Sequence, residues 1–199
     1  MKEIILEIEK YATEHNVPII EKDSIAFIMK YIRLERIKNV LEIGSAIGYS
    51  SILMATALPE AGSITTIEKD ETRYMECLKN VKKCGMEKKI NVVYQDALEL
   101  NLTDASYDLI FIDAAKGQYT KYFEKFKYFL SDKGVIITDN LKFHGYVGNK
   151  NKIDSKNIKS LTEKIENYIE FLKTNTEFKT KFYDIGDGLS LSVKAENEE

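Results

Sequence analysis

A short apolar run followed by a glycine-punctuated turn is the feature that most constrains how this chain can fold. Residues 40–50 read VLEIGSAIGYS, a pattern that predicts a strand, a tight loop and the start of a helix. Gly44 and Gly48 carry no Cβ, so the loop can turn sharply and lie close against a ligand. The free N–H groups at the start of the next helix would face that ligand. The segment therefore predicts one βα unit of an α/β sheet with a binding site at its loop.

The acid before the first glycine narrows the class of ligand. The Gly-x-x-x-Gly spacing differs from the G-x-G-x-x-G of dinucleotide-binding loops, which argues against a dehydrogenase. Glu42 lies at the end of the strand, where its carboxylate would repel a phosphate but favour a ligand with ammonium and sulfonium groups. Glu-x-Gly-x-x-x-Gly after a strand resembles motif I of the class I S-adenosylmethionine (SAM) methyltransferases. The alternative is an ordinary βα turn with an incidental glutamate.

Composition favours one folded domain over residues 1–199. Of the 199 residues, 44% are apolar and 31% are charged, which is typical of a globular protein with a substantial core. The net charge of −3 gives no overall attraction to nucleic acid or membrane, and no apolar run is long enough to span a bilayer. Cys77 and Cys84 stand two helical turns apart, about 10 Å and beyond disulfide reach. We therefore expect a cytoplasmic protein with free thiols and no zinc site.

Strands and helices alternate along most of the chain. Two helices come first, one over residues 1–15 and one capped by Asp23. A long amphipathic helix follows the last parallel strand, and the segments on either side of Gly186-Asp187-Gly188 alternate as in a hairpin. The predicted strands cover residues 39–43, 63–68, 90–94, 107–113, 134–139, 181–185 and 189–193. This order predicts an α/β fold: a Rossmann-like, doubly wound, seven-stranded, mostly parallel sheet with one antiparallel strand and added N-terminal helices.

Acidic side chains follow the carboxyl ends of the predicted strands, where open α/β sheets bind their ligands. They are Glu42, Glu68, Asp96, Asp113 and Asp139. Glu68 lies 24 residues after Gly44, near the spacing of about 20 at which an acid meets ribose hydroxyls in nucleotide-binding units. Five acids on one rim of the sheet indicate a ligand site rather than a solvated face.

Two of these acids suggest a metal site. Asp113 and Asp139 would project about 5 Å apart if their strands were neighbours, and would repel unless a cation lay between them. With the amide oxygen of Asn140 they form an all-oxygen set suited to Mg²⁺ or Mn²⁺. Lys116, one helical turn past Asp113, would be pushed towards its neutral form there and could act as general base. The alternatives are a loop cap at Asp139 or Asn140 and an ordinary surface lysine.

Two segments together make a family resemblance specific. FIDAAK at residues 111–116 with TDN at 138–140 resembles the cation-dependent O-methyltransferases, the family of catechol and caffeoyl-CoA O-methyltransferases. The resemblance extends over nearly the whole chain, from residue 17 to residue 188. It implies that Asp113, Asp139 and Asn140 are metal ligands and that Lys116 is the catalytic base, working beside Asp113. It also implies SAM contacts at Glu42, Gly44, Ser50, Glu68, Gln95, Asp96, Ala97 and Asp113, with Glu68 on the ribose.

Within that family the chain is most similar to small bacterial members, including the tRNA 5-hydroxyuridine methyltransferase. The resemblance implies a homodimer and an acceptor in the tRNA anticodon loop, 5-hydroxyuridine at the wobble position, methylated to 5-methoxyuridine. Ser190 stands where catechol enzymes carry a glutamate that grips a substrate hydroxyl. Lysines between residues 142 and 164 could meet phosphates. A catechol-like molecule with vicinal oxygens is the alternative acceptor, and a non-catalytic SAM-binding protein is a third reading.

Overall fold

A computed structural model describes residues 1–103, 105–149 and 153–195. Its centre is a seven-stranded sheet in the order β3-β2-β1-β4-β5-β7-β6. The strands are β1 Asn39–Ile43, β2 Ser63–Glu68, β3 Ile90–Tyr94, β4 Tyr107–Ile112, β5 Leu130–Thr138, β6 Phe178–Tyr183 and β7 Leu189–Lys194. β7 alone runs in the direction opposite to the other six strands, so the predicted doubly wound sheet with one antiparallel strand is confirmed.

Helices cover both faces of this sheet. They are α1 Lys2–Glu14, α2 Lys22–Leu34, α3 Tyr49–Ala57, α4 Glu71–Lys83, α5 Tyr119–Phe126 and α6 Lys156–Thr174, with short 3₁₀ turns at Lys116–Gln118 and Lys127–Phe129. Successive residues of a strand point alternately to the two faces of the sheet. On β4, Leu109 and Phe111 belong to the core under α1, α2 and α3, whereas Ile110 and Ile112 belong to the core under α5 and α6. Both faces are buried, as the apolar β4 sequence predicts.

The parallel register brings the strand ends together at one rim. Ile43 of β1 pairs with Ile67 of β2 and Ile112 of β4, and Ile112 pairs with Thr138 of β5. The residues that follow these ends continue the ladder: Gly44 N donates to Ile67 O, Asp113 N to Ile43 O, and Asp139 N to Ile112 O. The loop glycine and two of the acids singled out in the sequence therefore lie side by side, next to the switch point between β1 and β4.

Three element starts differ from the sequence-based predictions. Asp23 is not the cap of α2, because the helix begins at Lys22 after Glu21, whose carbonyl already accepts a hydrogen bond from Ile25 N. β5 begins at residue 130 rather than 134, since Leu130 pairs with Tyr107 across a register shift. β6 covers residues 178–183 rather than 181–185, because its pairing with β7 runs from Phe178 opposite Lys194 to Tyr183 opposite Leu189. In the part of the chain that the structure describes, no helix has the length and apolarity to cross a membrane.

Candidate active site

A cavity of about 300 Å³ opens at the carboxyl ends of β1, β2 and β4. Its walls come from the glycine loop and the first turn of α3, the ends of β2 and β3, the segment after β4, and residues 18–20 ahead of α2. Six of the sequence-predicted residues line it: Gly44, Ser50, Glu68, Gln95, Ala97 and Asp113. Lys116 and Asn140 line its far end. Most of the predicted cofactor residues and both predicted catalytic residues, Asp113 and Lys116, thus line one cavity.

The glycine loop lies directly against the end of β4. Gly44 has φ +95°, and a Cβ at this position would overlap the carbonyl oxygen of Asp113. Gly48 has φ +85°, and a Cβ there would lie 2.8 Å from the Sγ of Cys77 on α4. Both positions thus need a left-handed backbone and the absence of a side chain. Because Gly48 has no capping side chain, the N-terminal N–H groups of α3 have no partner from that residue.

Glu42, expected from the sequence to hold the cofactor, does not reach the cavity in the structure. Its carboxylate is fully buried and accepts hydrogen bonds from the hydroxyls of Ser50, Ser51 and Thr66. Burial raises the pKa of Glu42 to about 7, with the three hydroxyls opposing that shift and the charge of Asp113 adding to it. Through these hydrogen bonds Glu42 ties the first turn of α3 to β1 and β2, and its predicted contact with SAM stays a prediction.

Glu68 does line the cavity, and its carboxylate is held by three backbone donors. Oε1 accepts from Lys69 N and Asp70 N, and Oε2 accepts from Ala46 N, each at 2.9 Å. These contacts fix the orientation of the carboxylate and leave one lone pair, on Oε2, without a donor. A fixed carboxylate with a free acceptor position suits a ribose hydroxyl, the partner predicted for it.

Asp96 turns away from the cavity, unlike its neighbours Gln95 and Ala97. Its Oδ1 accepts a hydrogen bond from Leu98 N at 2.9 Å, and its Oδ2 pairs with Lys69 Nζ at 3.2 Å. The hydrogen bond from Leu98 holds the pKa of Asp96 below its usual value, helped by Lys69. The carboxylate thus caps the turn after β3, and the predicted cofactor contact at Asp96 stays a prediction.

Lys116, Asp113, Asp139 and Asn140 come together at the far end of the cavity. Lys116 Nζ donates to Asn140 Oδ1 at 2.6 Å and lies 5.8 Å from the centre of the Phe143 ring. Asn140 has φ +68°, a conformation that asparagine tolerates better than most residues. Asp139 Oδ1 accepts from Asn140 N at 2.7 Å. Lys116 is therefore not an isolated surface lysine.

The charges in this cluster shift one another. Burial raises the pKa of Asp139 to about 7, and the charge of Asp113 adds to the rise. Burial also raises the pKa of Asp113 and lowers that of Lys116, while the nearby acids, Asp113 foremost, oppose the shift at Lys116. Each group is thus moved towards its neutral form by burial.

The donor set fits a hard divalent cation. Two carboxylates and one amide oxygen are ligands that Mg²⁺ and Mn²⁺ prefer, and a cation between the acids would relieve the repulsion that raises the pKa of Asp139. Among the described residues, no group of three Asp, Glu, His or Cys side chains is placed to hold a metal, and the third oxygen of this set is the amide of Asn140.

Sequence reasoning missed two polar residues beside this cluster. Ser24 of α2 is fully buried, and its Oγ lies 3.5 Å from Asp139 Oδ1. The sequence feature that could have identified Ser24 is a hydroxyl residue within the apolar stripe formed by Ile25, Ile28 and Ile32. The sequence pattern predicts only a hairpin turn at Asp187. In the structure Asp187 is buried, and its charge acts on both Lys116 and Asp139.

The lysines proposed to meet phosphates are only partly within the described structure. Lys150 and Lys152 lie outside the described residues. Lys142 pairs with Asp184, whereas Lys156 and Lys159 are exposed at the start of α6.

Comparison with known proteins is consistent with this geometry. A family model described as "O-methyltransferase" matches residues 1–195. The chain is 31% identical to tapetum-specific methyltransferase 1 of Arabidopsis thaliana over 92% of this chain and 81% of that protein. It is 34% identical to the catechol O-methyltransferase of Niastella koreensis over 64% of this chain and 60% of that protein.

A similar solved structure is that of a provisionally named caffeoyl-CoA O-methyltransferase from Staphylococcus aureus. It superposes with a TM-score of 0.91 at 36% identity, covering 96% of this chain and 92% of that one. The chain therefore belongs to the O-methyltransferase family, as a SAM-dependent O-methyltransferase of the caffeoyl-CoA and catechol type.

Proposed function

We propose that this O-methyltransferase depends on a divalent cation, Mg²⁺ or Mn²⁺, and methylates one of two adjacent oxygens on its acceptor. One observation carries the proposal: Asp113, Asp139 and Asn140 lie beside Lys116 at the end of the cavity that Glu68 and the glycine loop line. The two acids and the Asn140 amide would hold the ion, and Lys116 lies next to that position.

The chemistry needs little activation of the methyl donor, because a sulfonium methyl group is already reactive. What the enzyme must do is deprotonate a hydroxyl and align it with the methyl group. The cation, when bound, would lower the pKa of a hydroxyl that it contacts. Lys116, whose pKa burial lowers, would take the hydroxyl proton on Nζ. Glu68 would fix the ribose, and the buried Glu42 would keep the first turn of α3 in place.

Two classes of acceptor offer the required pair of oxygens. A catechol-like ring does so through vicinal hydroxyls, and the names of the relatives favour this class. 5-Hydroxyuridine at the tRNA wobble position does so through O5 and O4. The likeness to the bacterial tRNA-modifying branch supports it, as do the exposed Lys156 and Lys159 and the nearby Lys164, whose side chain packs against Gly117 beside Lys116. A single-stranded wobble base also needs no extraction from a duplex.

One experiment separates these acceptors. The purified protein is given SAM and Mg²⁺ with either a 3,4-dihydroxyphenyl compound or tRNA containing 5-hydroxyuridine, and the methylated product is identified by mass spectrometry. If tRNA is the acceptor, the double variant Lys156→Glu/Lys159→Glu should methylate tRNA several-fold more slowly and with a smaller salt dependence, yet methylate the small compound normally. Lys10→Glu/Lys30→Glu, on exposed parts of α1 and α2, is the control.

Activity on the small compound with none on the tRNA would reject the tRNA assignment and leave the catechol-like acceptor. Equal loss on both acceptors in the Lys156/Lys159 variant would also count against a phosphate-binding role for these lysines. The homodimer and the cytoplasmic location expected from the sequence stay predictions.

A further inference from the structure

The turn between β6 and β7 holds the backbone that carries Asn140. Asp187 Oδ1 accepts a hydrogen bond from His144 N at 2.7 Å, and Asp187 O accepts one from Lys142 N at 2.7 Å. Gly188 O accepts from Leu141 N at 3.0 Å. These three hydrogen bonds thus fix the backbone of residues 141, 142 and 144, directly after Asn140. In this segment Phe143 and His144 both have positive φ.

The same turn packs against α2 on its other side. Gly186 has φ +52°, and a Cβ there would overlap the hydroxyl of Ser24 and lie 3.2 Å from Glu21 Oε2. Ser24 Oγ in turn lies 3.5 Å from Asp139 Oδ1. The turn therefore packs against the first turn of α2, whose Ser24 contacts Asp139 at the end of β5. Two of the candidate metal ligands, Asp139 and Asn140, directly follow that strand.

One oxygen of Asp187 has no hydrogen-bond donor. Asp187 is 7% exposed, and its Oδ2 is buried without a hydrogen-bond donor; the imidazole Nδ1 of His144, 3.8 Å away, is within ion-pair distance but beyond hydrogen-bond distance. Among the described residues, the only other buried side-chain polar atom in this condition is Ser190 Oγ, three residues further on. A buried carboxylate oxygen without a partner is costly, so its presence calls for a physical reason.

Asp187 lies near the cluster. Its charge acts on both Lys116 and Asp139, as that of Asp113 does. Three acids, Asp113, Asp139 and Asp187, therefore lie near Lys116, which is the one cation among the groups whose charge acts on Asp139.

We propose that Asp187 is a positioning residue of the divalent-cation site: Oδ1 fixes the loop that carries Asn140, and the unpartnered Oδ2 adds the negative charge that favours a divalent ion. This inference rests on the proposed metal dependence and deepens it. Asp187 is not itself a ligand; it acts through Asn140 and Asp139. Residues that orient metal ligands typically change metal affinity by about 10- to 100-fold when they are replaced.

The test is a direct measurement of Mn²⁺ binding, by electron paramagnetic resonance of free Mn²⁺, on the full chain without acceptor. Asp187→Asn keeps an oxygen for His144 N but removes the charge, and it should weaken Mn²⁺ binding by roughly 10- to 100-fold. SAM affinity should stay within about twofold, and the metal-free melting temperature should not fall, because an unpartnered buried charge has been removed. Asp184→Asn, an exposed acid three residues earlier, is the matched control and should bind Mn²⁺ like the parent protein.

The outcomes are distinct. If the parent protein binds Mn²⁺ and Asp139→Ala abolishes binding while Asp187→Asn binds normally, the role given to Asp187 is wrong and the metal site stands. If Asp187→Asn binds Mn²⁺ weakly but also melts well below the parent protein, the residue is merely structural and the inference is overturned. A parent protein that binds SAM but no Mn²⁺ overturns both the metal dependence and this inference.

Discussion

Glu42 is a fully buried acid at the cofactor loop, and its carboxylate is held by three hydroxyls rather than by a cation. Hydroxyl donors stabilise the ionised form, but they offset only part of the cost of burying it, so the pKa of Glu42 rises to about 7. The residue therefore changes its charge within the neutral range of pH, directly beneath the first turn of α3.

A pH-dependent contribution to stability follows from that pKa. In the unfolded chain the pKa of Glu42 is near the usual glutamate value of 4.5, and in the folded protein it is about 7. The folded state thus binds the proton more tightly, so the contribution of Glu42 is most favourable below pH 4.5 and is lost as the pH rises through 7. The loss amounts to about 3 kcal/mol, from 1.36 kcal/mol per pKa unit.

Glu42→Gln should remove this dependence. The difference in free energy of unfolding between the variant and the parent protein, measured by urea denaturation, should shift in favour of the variant by up to about 3 kcal/mol between pH 4 and pH 8. Taking the difference cancels the other acids that titrate in the same range. A difference that stays constant across this range would show that the pKa of Glu42 is the same in the folded and the unfolded protein, contrary to this expectation.

Lys116 is the residue on which proton transfer depends in the proposed mechanism. Lys116→Ala should lower kcat by roughly 10²- to 10⁴-fold, the usual range for a positioned acid or base, with SAM affinity little changed. Lys121→Ala, an exposed lysine one turn further on, should leave kcat unchanged. Steady-state kinetics with the preferred acceptor measures both variants. A normal kcat for Lys116→Ala at neutral pH would exclude the lysine as the base.

At the scale of elements, the sequence predicted where the strands lie better than where they begin. β1, β2 and β3 have the predicted bounds, because short runs rich in β-branched and apolar residues end at glycine or polar residues. The early start of β5 and the shifted β6 depend on which strand each one pairs with. Strand pairing joins residues far apart in the chain, so the residue pattern within one strand does not predict which strand it pairs with.

The loop between β1 and α3 gives a prediction at this scale. Gly44→Ala should weaken SAM binding and lower the free energy of unfolding by several kcal/mol, because the new Cβ would overlap the Asp113 carbonyl in addition to straining a positive φ. Gly85→Ala, also at positive φ but with nothing within 4 Å of its Cβ, should cost only about 1–2 kcal/mol and leave SAM binding intact.

Calorimetric titration with SAM and urea denaturation measure the two effects. Equal losses of stability in the two glycine variants would mean that backbone strain alone, and not the close approach to β4, explains the need for Gly44.

At the scale of the whole molecule, the shared rim of acids was predictable but their orientation was not. Parallel strands must end together, so Glu68 and Asp113 reach one cavity as expected. Glu42 and Asp96 lie at equivalent strand ends, but their carboxylates do not line the cavity. Ser50 and Thr66 donate hydrogen bonds to Glu42, and Leu98 N donates one to Asp96. Ser24 lies 115 residues from Asp139 in the chain, and a contact of that range leaves no local pattern.

The central claim is that two acids and an amide at the ends of β4 and β5 make methyl transfer depend on a divalent cation. The most direct measurement is the rate of methyl transfer from SAM to a 3,4-dihydroxyphenyl acceptor, or to hydroxyuridine-containing tRNA if only that is methylated. Chelator-treated protein is titrated with Mg²⁺ and then Mn²⁺, for the parent protein and for Asp139→Asn.

We predict no transfer after chelation, full recovery of the parent protein with added metal, and a rate at least 100-fold lower for Asp139→Asn despite normal SAM binding. Full transfer by the parent protein in excess chelator would contradict the claim.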